Sequence, residues 1–181
     1  MITFSVLVEN RPGVLTRVAS LFRRRAFNIE SLTVGRTEHP EVSRMTIVVD
    51  TDGDGARLVE AHLYKLVNVL RVDDVTEVPA VHRDLALIKV STTAETRAQI
   101  MQLVEVFRAR VVDVIPQLLI IEITGTEDKI DGLVGVLQPY GVLEMARTGR
   151  IAMARNGGAA TRHEKTVVER VEDDESISAS V

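Results

Sequence analysis

Residues 2–8 alternate between two faces, a spacing typical of a β-strand with one side in a hydrophobic core. The apolar face carries Ile2, Phe4, Val6 and Val8. Residues 9–13, Glu-Asn-Arg-Pro-Gly, break the alternation and predict a turn. Apolar side chains then recur at helical spacing and predict an amphipathic helix, at Val14, Leu15, Val18, Leu21 and Phe22.

Three more strands and a second helix complete the first half of the chain. The strands are predicted at 27–34, 43–49 and 69–75, and the apolar positions between 59 and 67 predict the helix. Residues 37–41, Thr-Glu-His-Pro-Glu, are interpreted as the hairpin loop between the first two of these strands. The element order is therefore βαββαβ.

The same order repeats in the second half. Strands are predicted at 85–90, 111–115 and 118–123, followed by an extended stretch at 142–153. The two helices between them are marked by Ile100, Leu103, Val104, Phe107, Ile130, Leu133, Val134 and Leu137. This repeat predicts an α+β protein of two ferredoxin-like βαββαβ domains, each an antiparallel four-stranded sheet with two helices on one face. The other face of each sheet is expected to stay open, so we expect an oligomer.

The repeat also sets the domain boundaries. One domain is predicted at residues 1–78 and the other at 82–155, with a short linker over residues 77–82 around Pro79. Residues 156–181 match neither half and carry six acidic and three basic side chains. They are predicted to form an acidic, disordered tail.

Composition narrows the possible functions. Aromatic residues are only 3% of the 181-residue chain, and its net charge is −4. An RNA-binding RRM has the same element order, but it needs aromatic side chains on its central strands, and residues 43–49 contain none. No apolar run approaches the length of a membrane span, and the start of the chain does not resemble a signal peptide. We therefore expect neither a nucleic-acid nor a membrane partner, and the absence of cysteine fits a cytoplasmic protein.

Motifs for catalysis and metal binding are also missing. The four histidines are scattered along the chain, and no nucleophile has an evident base, which argues against a hydrolase such as an acylphosphatase on this fold. The Asp- and Gly-rich residues 50–55 suggest a calcium loop, but the glutamate expected at its twelfth position is absent. These residues are better explained as a polar turn that caps the second helix.

The most informative segment is the junction between the first strand and the first helix. Pro12 suits the first turn of a helix, and Gly13 allows a ligand to approach the backbone closely. The N–H groups that follow suit a carboxylate, and the Asn10 amide suits either end of a free amino acid. The alternative is a purely structural helix start in which Asn10 is the N-cap.

A pair of polar residues interrupts an apolar segment of the chain. Asn28 and Glu30 are predicted on the same side of the strand at 27–34 and need hydrogen-bond partners there. Strand pairing, or a ligand held across an interface, would satisfy them.

At these segments the chain resembles a known family. Residues 9–15, Glu-Asn-Arg-Pro-Gly-Val-Leu, are similar to the N-terminal signature of ACT domains. Residues 27–34, 43–47 and 66–72 resemble more specifically the regulatory small subunits of acetolactate synthase, also called acetohydroxyacid synthase. The second half of the chain also resembles these small subunits, so the resemblance covers about residues 1–155.

The resemblance implies a regulatory protein without catalytic residues or cofactors of its own. Such subunits bind valine or a related branched-chain amino acid between paired N-terminal ACT domains. They activate a catalytic subunit, which alone carries thiamine diphosphate, magnesium and FAD, and they transmit feedback inhibition in branched-chain amino acid biosynthesis. Carried over by motif, the effector-binding positions are Asn10, Gly13, Val14, Leu15, Asn28 and Ile29. A stand-alone ACT-domain sensor acting on another protein partner is the alternative.

Overall fold

The computed structural model of the chain describes residues 1–155, and they divide into two compact units. One unit comprises residues 1–80 with 153–155, and the other comprises residues 81–152. In the first unit, the elements are β1 (Ile2–Glu9), α1 (Val14–Arg24), β2 (Ile29–Arg36), β3 (Val42–Val49), α2 (Gly53–Leu63) and β4 (Val69–Asp74). The elements that follow β4 along the chain are β5 (Ala80–Ser91), α3 (Arg97–Val106), β6 (Arg110–Ile115), β7 (Leu118–Gly125), α4 (Glu127–Leu137), β8 (Val142–Arg147) and β9 (Ile151–Ala154).

The first sheet has the strand order β2-β3-β1-β4, and all three pairings are antiparallel. The apolar side of β1 packs against the buried stripes of both helices, as the alternation and the helical spacing predict. This core comprises mainly Phe4, Val6, Val8, Val14, Val18, Phe22, Met45, Ile47, Val59 and Leu63. The βαββαβ order and the two-layer plan are confirmed.

The second sheet has five strands instead of the predicted four. Its order is β6-β7-β5-β8, and β9 also pairs with β5. The stretch predicted as one strand over 142–153 is broken at residues 148–150, where Gly149 has a left-handed φ of 85°. A strand cannot continue through that backbone conformation, so the chain turns and adds β9. A separate core fills this unit, centred on Ile88, Ile100, Leu119, Ile121, Ile130, Leu133 and Leu137.

The expectation of an open second sheet face is wrong for β1. Thr3 and Ser5 lie on that face, yet each is only 2% exposed. The Arg44 Nη1 atom donates a hydrogen bond to Ser5 Oγ, and the Thr3 N–H donates one to Thr76 Oγ1. The buried Ser5 hydroxyl therefore has a hydrogen-bond partner, as buried polar side chains usually do.

Two other segments were assigned from local sequence. Asp52 is the N-cap of α2, since its side chain accepts a hydrogen bond from the Gly55 N–H at 2.8 Å, so the capped-turn interpretation is confirmed. The predicted linker over 77–82 is shorter than expected because its last residues already belong to β5.

No helix among residues 1–155 is long and apolar enough to cross a membrane. The predicted tail, 156–181, lies outside the described residues.

Candidate functional site

The junction between β1 and α1 ends in an open helix N-terminus. The N-cap is Gly13, with a left-handed φ of 82°, and no side chain of residues 1–155 caps the helix. A Cβ atom built on Gly13 would meet no atom of the described residues within 4 Å, apart from its two chain neighbours, so these residues leave the space in front of the backbone open. The Val14 N–H donates to the Arg11 carbonyl at 3.4 Å, so the N–H groups of Leu15 and Thr16 are the ones available to a carboxylate. Pro12 precedes the N-cap, which makes the prediction that it lies in the first helical turn wrong.

Asn10 fixes the position of this junction and does not cap the helix. Its Nδ2 atom donates to the Pro40 carbonyl at 2.9 Å, and its backbone N–H donates to the Glu41 carbonyl at 2.7 Å. Both acceptors lie in the loop between β2 and β3. The structural alternative, with Asn10 as N-cap, is therefore wrong. Among residues 1–155 no donor is bonded to the Asn10 Oδ1 atom, which leaves it open to an ammonium group.

A chain of hydrogen bonds behind the junction was not predicted. Glu9, at the end of β1, is buried, and its Oε2 atom accepts from Asn68 Nδ2 at 2.6 Å. The Asn68 Oδ1 atom accepts in turn from Arg17 Nη1 at 2.6 Å. The network joins β1, the segment before β4 and α1. Because Asn68 lies far from Glu9 and Arg17 in sequence, no local pattern could pair them.

The apolar candidates differ in their exposure. The Val14 side chain is buried in the core and its backbone N–H donates to the Arg11 carbonyl at 3.4 Å, so Val14 offers a ligand no free group. Leu15 is 45% exposed beside Gly13, and an exposed leucine at this position is suited to contact an aliphatic side chain. Ile29 is half-buried and packs against the core.

Asn28 and Glu30 satisfy each other. Asn28 Nδ2 donates to Glu30 Oε1, which confirms that the two side chains share a side. The strand begins at Ile29, two residues later than predicted, so Asn28 lies just before it. The pair needs no further strand to supply partners.

The two groups of candidate residues lie at opposite ends of the first sheet. Glu9, just before the junction, pairs with Val42 at the start of β3, whereas Ile29 pairs with Val49 at its end. Seven residue steps along a strand correspond to about 23 Å. One chain therefore does not bring Asn28 and Ile29 to the open helix N-terminus.

The comparisons with known proteins match both halves of the chain. A family described as "AHAS small subunit-like ACT domain" matches residues 4–71, and a family described as "Small subunit of acetolactate synthase" matches residues 83–156. The chain belongs to the acetolactate synthase small-subunit family.

Relatives in archaea and bacteria are similar over nearly their full length. A probable acetolactate synthase small subunit of Archaeoglobus fulgidus is 52% identical over 84% of this chain and 96% of its own. The acetolactate synthase small subunit of Mycolicibacterium smegmatis is 50% identical over 84% of this chain and 90% of its own. The crystal structure of the small subunit from Thermotoga maritima superposes with a TM-score of 0.79, at 44% identity, over 85% of this chain and 96% of that one.

Within this small-subunit chain, the two halves start their first helices differently. In the second unit, the Thr93 N–H donates to Thr96 Oγ1 at 2.9 Å, and the Thr96 N–H donates to Thr93 Oγ1 at 3.2 Å. The hydroxyl groups thus occupy N–H groups just before α3. Neither α1 nor α3 has a side-chain cap among residues 1–155, but α1 starts at a glycine with a left-handed φ, whereas the N-cap of α3 is Thr96.

Among residues 1–155 no group of three or more histidine, aspartate or glutamate side chains is placed to hold a metal ion.

Asn68→Ala is expected to destabilise this small subunit by about 1–3 kcal/mol, because it removes a hydrogen-bond donor from the buried Glu9 carboxylate. It also frees Arg17 near the start of α1, so the affinity for an effector at the junction should fall. Urea unfolding and calorimetric titration with valine measure the two effects. Val67→Ala, at the neighbouring exposed position, is the control. A parent-like affinity in Asn68→Ala would show that the network does not position the site.

Proposed function

We propose that this chain is the regulatory subunit of an acetolactate synthase and binds valine or a related branched-chain amino acid between two N-terminal ACT domains. In this role it activates the catalytic subunit and transmits feedback inhibition in the biosynthesis of valine, leucine and isoleucine. The family match over both halves supports the regulatory role. The observation that carries the effector site is the uncapped, glycine-started helix after β1.

The chemistry of the junction fits a small zwitterion. The first-turn N–H groups of α1 and the positive end of the helix dipole would hold the carboxylate. The Asn10 Oδ1 atom would accept from the ammonium group, and Leu15 would contact the branched side chain. Polar ends and an apolar tail are thereby recognised by different groups, which selects for an aliphatic amino acid.

A homodimer would complete the site. Among the described residues the β2 strand is at the edge of the first sheet, and edge strands are common sites of pairing between copies of a chain. If the two β2 strands pair antiparallel about a twofold axis, the start of the partner's strand comes to the end of the sheet that carries Gly13. Asn28 of the partner subunit and Ile29 of the partner subunit would then approach the ligand. The separation of the two residue groups within one chain supports this arrangement.

Regulation then follows from ligand-dependent dimer geometry. A ligand held by both subunits stabilises the arrangement that it bridges, and a differential affinity of about 1–3 kcal/mol is a typical coupling between sites. The catalytic subunit, which carries thiamine diphosphate, magnesium and FAD in this proposal, senses the change at its interface. The small subunit works in the cytoplasm and catalyses no step itself.

Co-expression with the catalytic subunit encoded in the same cell tests this function. We expect the two chains to co-purify, acetolactate formation to rise several-fold over the catalytic subunit alone, and valine to reverse much of the gain. The catalytic subunit assayed alone with valine is the control. Valine binding by a chain that neither associates with nor activates the catalytic subunit would favour a stand-alone sensor acting on another protein.

A further inference from the structure

A cleft of about 680 Å³ lies on the helical side of the first unit and collects positive charge. Arg17, Arg24 and Arg25 line it from α1 and its C-cap, and Lys65 lines it from the turn after α2. This is the reverse of the charge of the whole chain, which is −4. A concave, cationic surface on an acidic protein attracts anions locally.

Most of these cations are not neutralised by acidic side chains of residues 1–155. Arg17 donates to the Asn68 amide. Arg24, Arg25 and Lys65 form no ion pair with an acidic side chain among residues 1–155. Holding three like charges around one cleft is unfavourable, and a bound anion removes that repulsion.

A buried histidine on the same cleft lacks hydrogen bonds. His62 lines the cleft and is only 9% exposed, and neither ring nitrogen has a partner within hydrogen-bond geometry in the described part of the chain. Burial, followed by the positive charges of Arg25 and Lys65, lowers the pKa of His62, while the Leu58 carbonyl acts in the opposite direction. An anion beside these cations would offset their charge and supply an acceptor for the ring.

The lining indicates which anion fits. Arginine forks bind phosphate oxygens in pairs, and a phosphate monoester brings up to two negative charges in one compact group, where a carboxylate brings one. The volume is in the range of small-molecule sites. Among the described residues no Phe, Tyr or Trp side chain lines the cleft, so a base or ring attached to the phosphate would lack their large stacking surfaces.

We propose that this cleft is a second ligand site, specific for the phosphate group of a small phosphorylated metabolite and separate from the amino-acid site. Gly13 borders the same cleft, so an occupied cleft lies next to the start of α1. If the proposed effector site is correct, the phosphate ligand is placed to adjust the valine response. Anion binding itself does not depend on that role.

The test is calorimetric titration of the full chain with pyrophosphate, combined with NMR observation of the His62 ring. We expect Arg25→Gln and Lys65→Gln each to weaken binding about tenfold, as for a lost charge-assisted hydrogen bond. Arg23→Gln is the matched control, since Arg23 lies on the same helix and loses the same charge but does not line the cleft. Pyrophosphate should also raise the pKa of His62 measured by NMR, and melting curves check that each variant is folded.

Several results would overturn the proposal. Equal losses in Arg23→Gln and Arg25→Gln would indicate a diffuse charge effect, and an unmoved His62 signal would place the anion elsewhere. Tighter binding of a hexaglutamate peptide than of pyrophosphate would indicate a protein partner. If saturating valine abolishes pyrophosphate binding, the two share one site. Valine affinity, measured separately on the same variants, tests the effector site independently.

Discussion

Gly13→Asp is expected to abolish valine binding, with at least a 100-fold loss of affinity, or about 2.8 kcal/mol. Among the described residues, apart from the two chain neighbours, no atom lies within 4 Å of a Cβ atom at this position, so the substitution meets no steric obstacle from them. The new carboxylate would lie beside the first-turn N–H groups of α1 and take the place of the carboxylate of the ligand. It would also repel that carboxylate.

The fold should survive this substitution. The left-handed φ of Gly13 is tolerated by aspartate and asparagine better than by other residues, and the position is exposed. We expect a melting temperature within a few degrees of the parent, which corresponds to about 1 kcal/mol or less.

Gly13→Asn is the matched control for charge, because asparagine has the same shape and the same backbone tolerance. It is expected to retain measurable valine binding by calorimetry, whereas Gly13→Asp retains none. Equal affinities of the parent and Gly13→Asp would place the effector away from this helix start. Equal losses in both variants would show that space, and not charge, is what the glycine provides.

The second large effect is expected when the two units are separated. A fragment of residues 1–80 should bind valine but give less than about a tenth of the activation that the whole chain gives. Only the first unit has the glycine-started junction after its first strand, while the second unit has an intact core and self-bonded threonines at the equivalent junction. A stable unit without such a site is suited to recognise the catalytic subunit.

The two hydrophobic cores share no residue, so each unit has the means to fold alone. Circular dichroism and thermal melting of the fragment establish this first. Calorimetry with valine and acetolactate assays with the catalytic subunit then separate binding from activation, and addition of residues 81–155 in trans is the control. Full, valine-sensitive activation by residues 1–80 alone would contradict the division of labour.

Local patterns predicted most of the elements because each depends on residues close in sequence. The alternation in β1, the helical spacing in α1 and the Asp52 cap are all short-range features, and all three appear in the structure. The start of β2 was placed two residues early because Phe27 and Asn28 continue the apolar and polar pattern of the strand. Pattern alone does not show where a strand loses its hydrogen-bonded neighbour.

The sequence by itself determined the twofold βαββαβ repeat, the family and the special character of residues 10–13, since periodicity and motifs are local properties of the chain. Tertiary structure decided what those residues contact. It directed the Asn10 amide to the β2–β3 loop, joined Glu9 to Asn68 and Arg17, and put the two groups of candidate effector residues at opposite ends of β3. It also gathered Arg25 and Lys65 around one cleft. These relations join residues distant in sequence, and they exist only after the sheet order and the packing of the helices bring those residues together.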